Sequence, residues 1–95
     1  LLMISTPASA GVNKTNDAFS EDISLIMEKM EKKVGKTSQS YKSLVEIKIE
    51  FNNTYDKAWK MARHEFYEYA SSVYDRVNKI ASDQGMAKVN KPNWL

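Results

Sequence analysis

Apolar residues recur with helical spacing along most of this chain, and the longest such stretch covers residues 54–83. Its apolar side chains lie three or four positions apart, which is the period of one helical face. They are Trp59, Ala62, Phe66, Tyr69, Val73, Val77 and Ile80. At ~1.5 Å per residue, the spacing predicts one long helix of about 45 Å. Gln84 and Gly85 would end this helix.

An earlier apolar stripe predicts a first helix over about residues 17–34. Its members are Phe19, Ile23, Ile26, Met27, Met30 and Val34. Asn16 or Asp17 would cap its start, because such side chains accept hydrogen bonds from free backbone N–H groups. Gly35 would end the helix, since glycine tolerates the left-handed conformation found there. The preceding residues, 1–16, are predicted to be an extended N-terminal segment.

The segment over residues 45–51 alternates strictly between apolar and polar positions, which is typical of a strand. A lone strand needs a partner, however, and the chain has no second alternating run. Apolar residues also keep an approximate helical period over residues 41–55, so we predict a helix, with Thr37 or Ser38 as its cap. The alternative is a strand that adds to the sheet of another protein. Asn52–Thr54 would break the helix, because Asn and Thr favour caps.

These elements predict an all-α fold, a helix 1–helix 2 hairpin packed on one long helix as a small three-helix bundle with extended termini. The chain has 95 residues, three glycines and two prolines, which favours one domain with few turns. We assign residues 17–85 to the helical domain and residues 86–95 to an extended tail. Trp94 and Leu95 at the end of that tail either fold back on the bundle or bind a partner, because exposing them to water is unfavourable.

Charge and composition exclude several classes of function. The chain has 14 basic and 12 acidic residues, and their signs are mixed along the sequence. Nucleic-acid binding requires clustered positive charge, so we predict no nucleic-acid partner. The absence of cysteine excludes disulfides and thiolate metal sites.

The first ten residues resemble the end of an export signal. An apolar run, Leu1–Ile4, is followed by Ser5–Pro7 and then by Ala8-Ser9-Ala10, an A-x-A cleavage pattern. This pattern predicts an exported, lumenal or organellar location, such as the periplasm or the thylakoid lumen. The alternative is an apolar N-terminus with a chance match. Four apolar residues are too few to cross a bilayer, which takes ~20, and we predict no transmembrane span.

Candidate catalytic residues are few, and none has a complete context. His64 and Glu68 share a helical face and could bind a metal, but a catalytic zinc needs three protein ligands and no third can be named. Gly35 begins a Gly-Lys-Thr sequence, yet a phosphate-binding loop needs a glycine at the position of Met30 and a preceding strand. We therefore predict that the protein is not an enzyme and has no metal or cofactor.

Aromatic side chains on more than one side of the long helix are the main indication of function. Tyr67 and Tyr74 form a second stripe beside the one that contains Phe66 and Tyr69. The two shorter helices would leave the C-terminal half of the long helix uncovered, and such an apolar patch marks a protein interface.

We therefore predict a non-catalytic accessory or structural subunit, or an adaptor, that docks on a larger protein complex through its aromatic-rich helix and C-terminal tail. The complex is either soluble or membrane-associated. The predicted partner-binding residues are Trp59, Phe66, Tyr67, Tyr69, Val73, Tyr74, Val77, Ile80, Trp94 and Leu95. The alternative is a self-contained module that holds a small apolar ligand or pigment between its helices.

Overall fold

Three α-helices and one short 3-10 turn form the part of the chain that the structure describes, residues 6–95, with side chains from residue 10 onward. The structure is a computed structural model. The elements are α1 (Thr6–Val34), α2 (Gln39–Asp56), a 3-10 turn (Ala58–Lys60) and α3 (Arg63–Asp83). No strand occurs within residues 6–95. The prediction of a small all-α, three-helix bundle is confirmed.

Helix α1 is much longer than predicted, because its apolar stripe continues through a threonine. It has 29 residues, a length of about 43 Å at ~1.5 Å per residue. Thr15 is fully buried, and its hydroxyl donates to the carbonyl oxygen of Gly11 at 2.8 Å. This bond satisfies the polar group inside the helix, so Thr15 packs like an apolar residue. The predicted extended conformation is therefore wrong for residues 6–16, while residues 1–5 lie outside the described part.

Helix α2 confirms the helical prediction for residues 45–51 but not the break at Asn52–Thr54. The two asparagines are exposed on the surface of α2, and the Thr54 hydroxyl donates to the carbonyl oxygen of Glu50 at 3.0 Å. The helix continues to Asp56, because these polar side chains face water and require no cap.

The chain breaks instead at residues 57–62, so the predicted single helix over residues 54–83 is wrong. Met61 and Ala62 are extended, with ψ angles of 151° and 147°. The Ala62 N–H donates to Glu65 Oε1 at 2.9 Å, which satisfies a donor that α3 leaves free at its start. The apolar residues keep a helical spacing on both sides of residues 57–62, so this spacing does not indicate where the chain reverses.

Both ends of the α1–α2 turn match the prediction. Gly35 follows α1 with a φ of 87°, in the left-handed region where glycine has no side-chain penalty. Ser38 Oγ accepts a hydrogen bond from the Tyr41 N–H at 3.2 Å and so caps α2. These local interactions explain why α1 and α2 form a tight antiparallel pair.

The core lies where α1 packs against α2 and α3. Its centre is aromatic: the rings of Phe19 and Phe51 stack with centroids 4.1 Å apart, and Tyr74 meets Phe19 edge-on at 5.6 Å. Such pairs stabilise by ~0.5–1.5 kcal/mol beyond the burial of their surface. The core also contains Ile23, Ile26, Met30, Leu44, Ile47, Phe66, Ala70, Val73, Val77 and Ala81.

The tail, residues 86–95, has no helix and runs back along the bundle, with Met86, Val89 and Leu95 packed against the core. No helix within residues 6–83 has the length and hydropathy needed to cross a membrane.

Candidate docking site

Nine of the ten predicted partner-binding residues are buried or half-buried in the bundle. The buried ones are Phe66, Val73, Tyr74 and Val77. A second group is half-buried and comprises Tyr67, Tyr69, Ile80, Trp94 and Leu95. The C-terminal half of α3 is not bare, because Tyr74 packs on Phe19 of α1 and the tail packs beside Asn78. Only Trp59 of the predicted set is fully accessible to a partner in the folded bundle.

Tyr74 has a structural role in the contact between α1 and α3. Its side chain is 1% exposed, and its hydroxyl donates to Asp22 Oδ2 at 2.6 Å. Burial, followed by the bond to Asp22, raises the pKa of the Tyr74 phenol well above its usual value. The phenol therefore stays protonated and donates this hydrogen bond across the physiological range.

Glu50 on α2 joins Tyr69 and Arg76 on α3 in a polar cluster. Arg76 approaches the carboxylate with both terminal nitrogens, at 2.8 and 3.2 Å, and the Tyr69 hydroxyl donates to it at 2.6 Å. The Arg76 hydrogen bond is the main reason why the pKa of Glu50 is lowered, and burial raises the pKa of Tyr69 to about 12. The Glu50 carboxylate is thus held ionised and is a poor proton donor at neutral pH. We interpret the cluster as a polar clamp that joins α2 to α3.

The most exposed large apolar side chain belongs to Trp59, in the segment 57–62 that we call the Trp59 corner. Its side chain is 80% exposed, although Ala58 beside it is buried. The backbone is fixed by hydrogen bonds from the Lys60 N–H to the Lys57 carbonyl at 3.0 Å and from the Met61 N–H to the Ala58 carbonyl at 2.9 Å. The Trp59 indole is therefore exposed to water, while the backbone that carries it is ordered and is attached to the bundle by the buried Ala58.

A surface groove of about 460 Å³ lies next to the Trp59 ring. It is lined by Val12 and Asn13 of α1, Tyr55 and Asp56 of α2, and Ala58, Trp59, Met61 and Arg63. The Tyr55 hydroxyl donates to Asn13 Oδ1 and so joins the walls formed by α1 and α2. The Lys60 ammonium lies 5.1 Å from the centroid of the Trp59 ring. An apolar floor, a projecting indole and a charged rim are the usual parts of a protein-binding surface.

The predicted tail residues Trp94 and Leu95 fold back on the bundle. Trp94 Nε1 donates to Thr15 Oγ1 at 2.8 Å, and the Lys14 ammonium lies 3.9 Å from the indole centroid. Of the two predicted alternatives for these residues, this structure therefore has the folded-back one.

His64 and Glu68 are both exposed at the start of α3. Within the described residues, no group of three or more His, Cys, Asp or Glu side chains lies close enough to bind a metal ion. Tyr67, on the same helix, places its hydroxyl against Gly11 of α1, where a Cβ would overlap it. Tyr67 thus supports the packing of α1 on α3.

Sequence reasoning missed Val12, Asn13, Tyr55 and Met61 as groove residues. The sequence places Val12 in a predicted extended segment and Met61 outside the predicted apolar stripe. It predicts Trp59 on that helical stripe, whereas Trp59 lies in a turn between two helices. Comparison of the chain with protein families, curated proteins and solved structures finds no match.

Proposed function

We propose that this chain is a non-catalytic docking subunit, an accessory component or adaptor of a larger protein assembly, and that the Trp59 corner binds the partner. One observation carries the proposal: Trp59 is 80% exposed, whereas every other aromatic side chain of the protein is buried or half-buried. The bundle therefore covers its own aromatic residues with this single exception.

The energetics of an exposed tryptophan support this role. An aromatic side chain buries ~150–250 Å² on contact, which at ~25 cal/mol per Å² is about 4–6 kcal/mol before the costs of association. Tryptophan and arginine dominate measured interface hot spots, and Arg63 lies in the same groove as Trp59. Because the corner is already ordered, little conformational entropy is lost when a partner covers it.

The alternative function, binding of a small apolar ligand or pigment between the helices, has less support. The aromatic residues of the interior, Phe19, Phe51, Phe66 and Tyr74, pack on one another and fill the space between α1, α2 and α3. The clefts around Trp59, Ile49 and Lys88 are surface grooves between side chains.

Replacing Trp59 tests the docking proposal. We expect Trp59→Ala to weaken capture of the native partner by about thirtyfold or more, since a hot-spot residue contributes at least ~2 kcal/mol. The partner would be identified by a photo-crosslinking residue at position 57, an exposed site that leaves Trp59 in place, in extracts of the source organism. Helicity and melting temperature should stay unchanged, because the side chain makes few contacts within the bundle.

Leu25→Ala is the matched control, since Leu25 is also an exposed apolar residue, at 46%, but lies on α1 outside the groove beside Trp59. It should leave capture unaffected. Equal capture by the Trp59→Ala variant and the unaltered protein would rule out docking through the corner.

A further inference from the structure

The tail is held in a groove between α1 and α3 by contacts that recognise an extended backbone. Asn78 Nδ2 donates to the carbonyl oxygen of Val89 at 2.9 Å, and the Val89 N–H donates to Asn78 Oδ1 at 2.8 Å. One side-chain amide thus pairs with both backbone groups of a single residue. The backbone N–H and carbonyl groups of Val89 are thus both hydrogen-bonded, as they would be beside a neighbouring strand.

Two further anchors fix the direction of the segment. The Lys91 ammonium contacts Asp75 Oδ1 at 2.8 Å and Ser71 Oγ at 2.9 Å. Beyond it, Trp94 donates to Thr15, with Lys14 over the ring. Asn78, Asp75 and Ser71 lie on α3, whereas Lys14 and Thr15 lie on α1. The groove and the tail are therefore two separate and complementary parts.

The seam between the parts is open to water. A cleft of about 540 Å³ runs between α3 and the tail, lined mainly by polar and charged residues such as Asp75, Asn78, Lys88 and Lys91. These groups can replace their hydrogen bonds to protein with hydrogen bonds to water. The tail can therefore leave the groove without leaving a buried polar group unpaired.

The connection between the parts is one turn at the end of α3. Gly85 has a φ of 69°, in the left-handed region, and no atom lies within 4 Å of where a Cβ would be. The Met86 N–H donates to the carbonyl oxygen of Ala81 at 2.8 Å and closes the turn. The conformation of Gly85 thus decides whether the tail returns to the groove of its own chain.

We propose that this groove is a binding site for an extended peptide, and that its second occupant is the tail of another copy of this chain, exchanged to give a dimer. The groove is complementary in charge and shape to this tail, so an exchanged tail makes the same contacts. The closed monomer and the dimer then differ only at the hinge around Gly85 and in the entropy of association. The proposal uses a different surface from the Trp59 corner and does not depend on it.

The unaltered chain stays monomeric at moderate concentration. A short connection gives the tail of the same chain an effective concentration of about a millimolar at its groove, which a second copy must exceed. Exchange is therefore favoured where copies are concentrated or where the hinge opposes closure.

Gly85→Ala tests the proposal directly. An alanine disfavours the left-handed conformation, so α3 should continue past residue 85 and carry the tail away from its own groove. Light scattering after size exclusion should show a dimer at about 100 µM. The dissociation constant of this dimer should be at least tenfold below the millimolar value of the unaltered chain. A Gly85→Ala variant that remains monomeric to several times that concentration would overturn the exchange.

Double variants show whether such a dimer uses the groove. Gly85→Ala/Asn78→Ala lacks the backbone contact and Gly85→Ala/Trp94→Ala lacks the terminal anchor, so both should be monomeric. Dimerisation of either double variant as strong as that of Gly85→Ala alone would also overturn the proposal.

A peptide titration tests the groove without changing the hinge. A fluorescent peptide of residues 86–95 should bind the Trp94→Ala protein, whose own tail is loosened, and should bind the Trp94→Ala/Asn78→Ala protein at least tenfold more weakly. Absence of binding to the Trp94→Ala protein at a millimolar concentration would show that the groove holds its tail only within one chain.

Discussion

Two hydroxyl groups determine how α1 meets the rest of the bundle. Thr15 has no exposed surface; its hydroxyl donates to Gly11 within α1 and accepts from Trp94 of the tail. Tyr74 reaches from α3 to Asp22. Within the described residues, no buried side-chain nitrogen or oxygen lacks a hydrogen-bond partner. These groups therefore fix the register of α1 without the cost of an unpaired polar atom.

Tyr74→Phe should lower the free energy of unfolding by about 1–2 kcal/mol at neutral pH, because it leaves the Asp22 carboxylate without its donor while keeping the ring. Burial raises the pKa of Tyr74 in the folded state above the ordinary value of 10.0. The unfolded chain therefore loses this proton first, and the unaltered protein loses stability as the pH rises above 10. Urea denaturation at neutral and alkaline pH should show the difference between the proteins shrinking with rising pH.

Tyr41→Phe is the control for this substitution, since no hydrogen bond of the Tyr41 hydroxyl occurs within the described residues. It should change stability by a few tenths of a kcal/mol at most. Equal stability of the Tyr74→Phe variant and the unaltered protein at neutral pH would contradict the assigned role of the Tyr74–Asp22 bond.

At the scale of elements, α2 and α3 are joined by a polar clamp beside their apolar contact. Glu50 accepts from Arg76 and Tyr69, and the ring of Tyr69 stacks on Phe51 with centroids 5.9 Å apart. The side chains of Glu50 and Arg76 are about half exposed, at 45% and 48%. Because the ion pair is partly in water, it fixes the angle between the helices more than it stabilises them.

Glu50→Gln should destabilise the protein by no more than about 1 kcal/mol at neutral pH, a value discounted for solvent screening. The hydrogen bond to Arg76 lowers the pKa of Glu50 below 4.5 in the folded state. The stabilisation is present above the pKa of the unfolded chain and is lost as the pH falls through the folded-state pKa. The stability of the two proteins, measured by thermal unfolding, should thus converge in acid.

The matched control is Glu46→Gln, because Glu46 is exposed one turn earlier on α2 and forms no ion pair within the described residues. A loss of stability as large in Glu46→Gln as in Glu50→Gln would assign the effect to the net charge of α2, and not to the clamp.

The whole molecule is elongated, with extents of 51 × 23 × 17 Å, because α1 runs along most of its length. Helix α1 covers α2 and α3, and the tail closes the remaining seam between α1 and α3. This arrangement removes the bare apolar surface that the sequence alone suggested on α3. We therefore expect the chain to fold without a partner.

Residues 11–95, the chain that cleavage after Ala10 would leave, should form a helical, cooperatively melting monomer at about 20 µM, well below millimolar exchange. Residues 17–95 begin at the domain boundary predicted from sequence, but they lack Val12 and Thr15. We expect the melting temperature of this shorter chain to be lower by about 5 °C or more, since a loss of ~1 kcal/mol shifts a domain of this size by ~4–8 °C. Circular dichroism and light scattering measure both properties.

Equal melting of the two chains would mean that residues 11–16 add nothing to the bundle. Self-association or poor helicity of residues 11–95 would indicate instead that α3 needs a partner to cover it.

The sequence by itself determined the helical class, the α1–α2 turn and the helical state of residues 45–51. Each of these depends on local rules: the spacing of apolar residues, a glycine in the left-handed region at Gly35 and a serine cap at Ser38. Such rules act over a few residues, so they can be identified without knowing which helices meet. The extended state of the tail follows in the same way from its short length and Pro92.

Only the tertiary structure decided where α1 begins, where the chain reverses and which aromatic residues stay in water. The surroundings of Thr15 include a distant segment, since Trp94, 79 positions away, donates to its hydroxyl. Residues 57–62 keep a helical period, but α3 must reverse there to pack on α1, and this reversal exposes Trp59. These features depend on contacts between distant segments, and the spacing of residues within one segment contains no information about them.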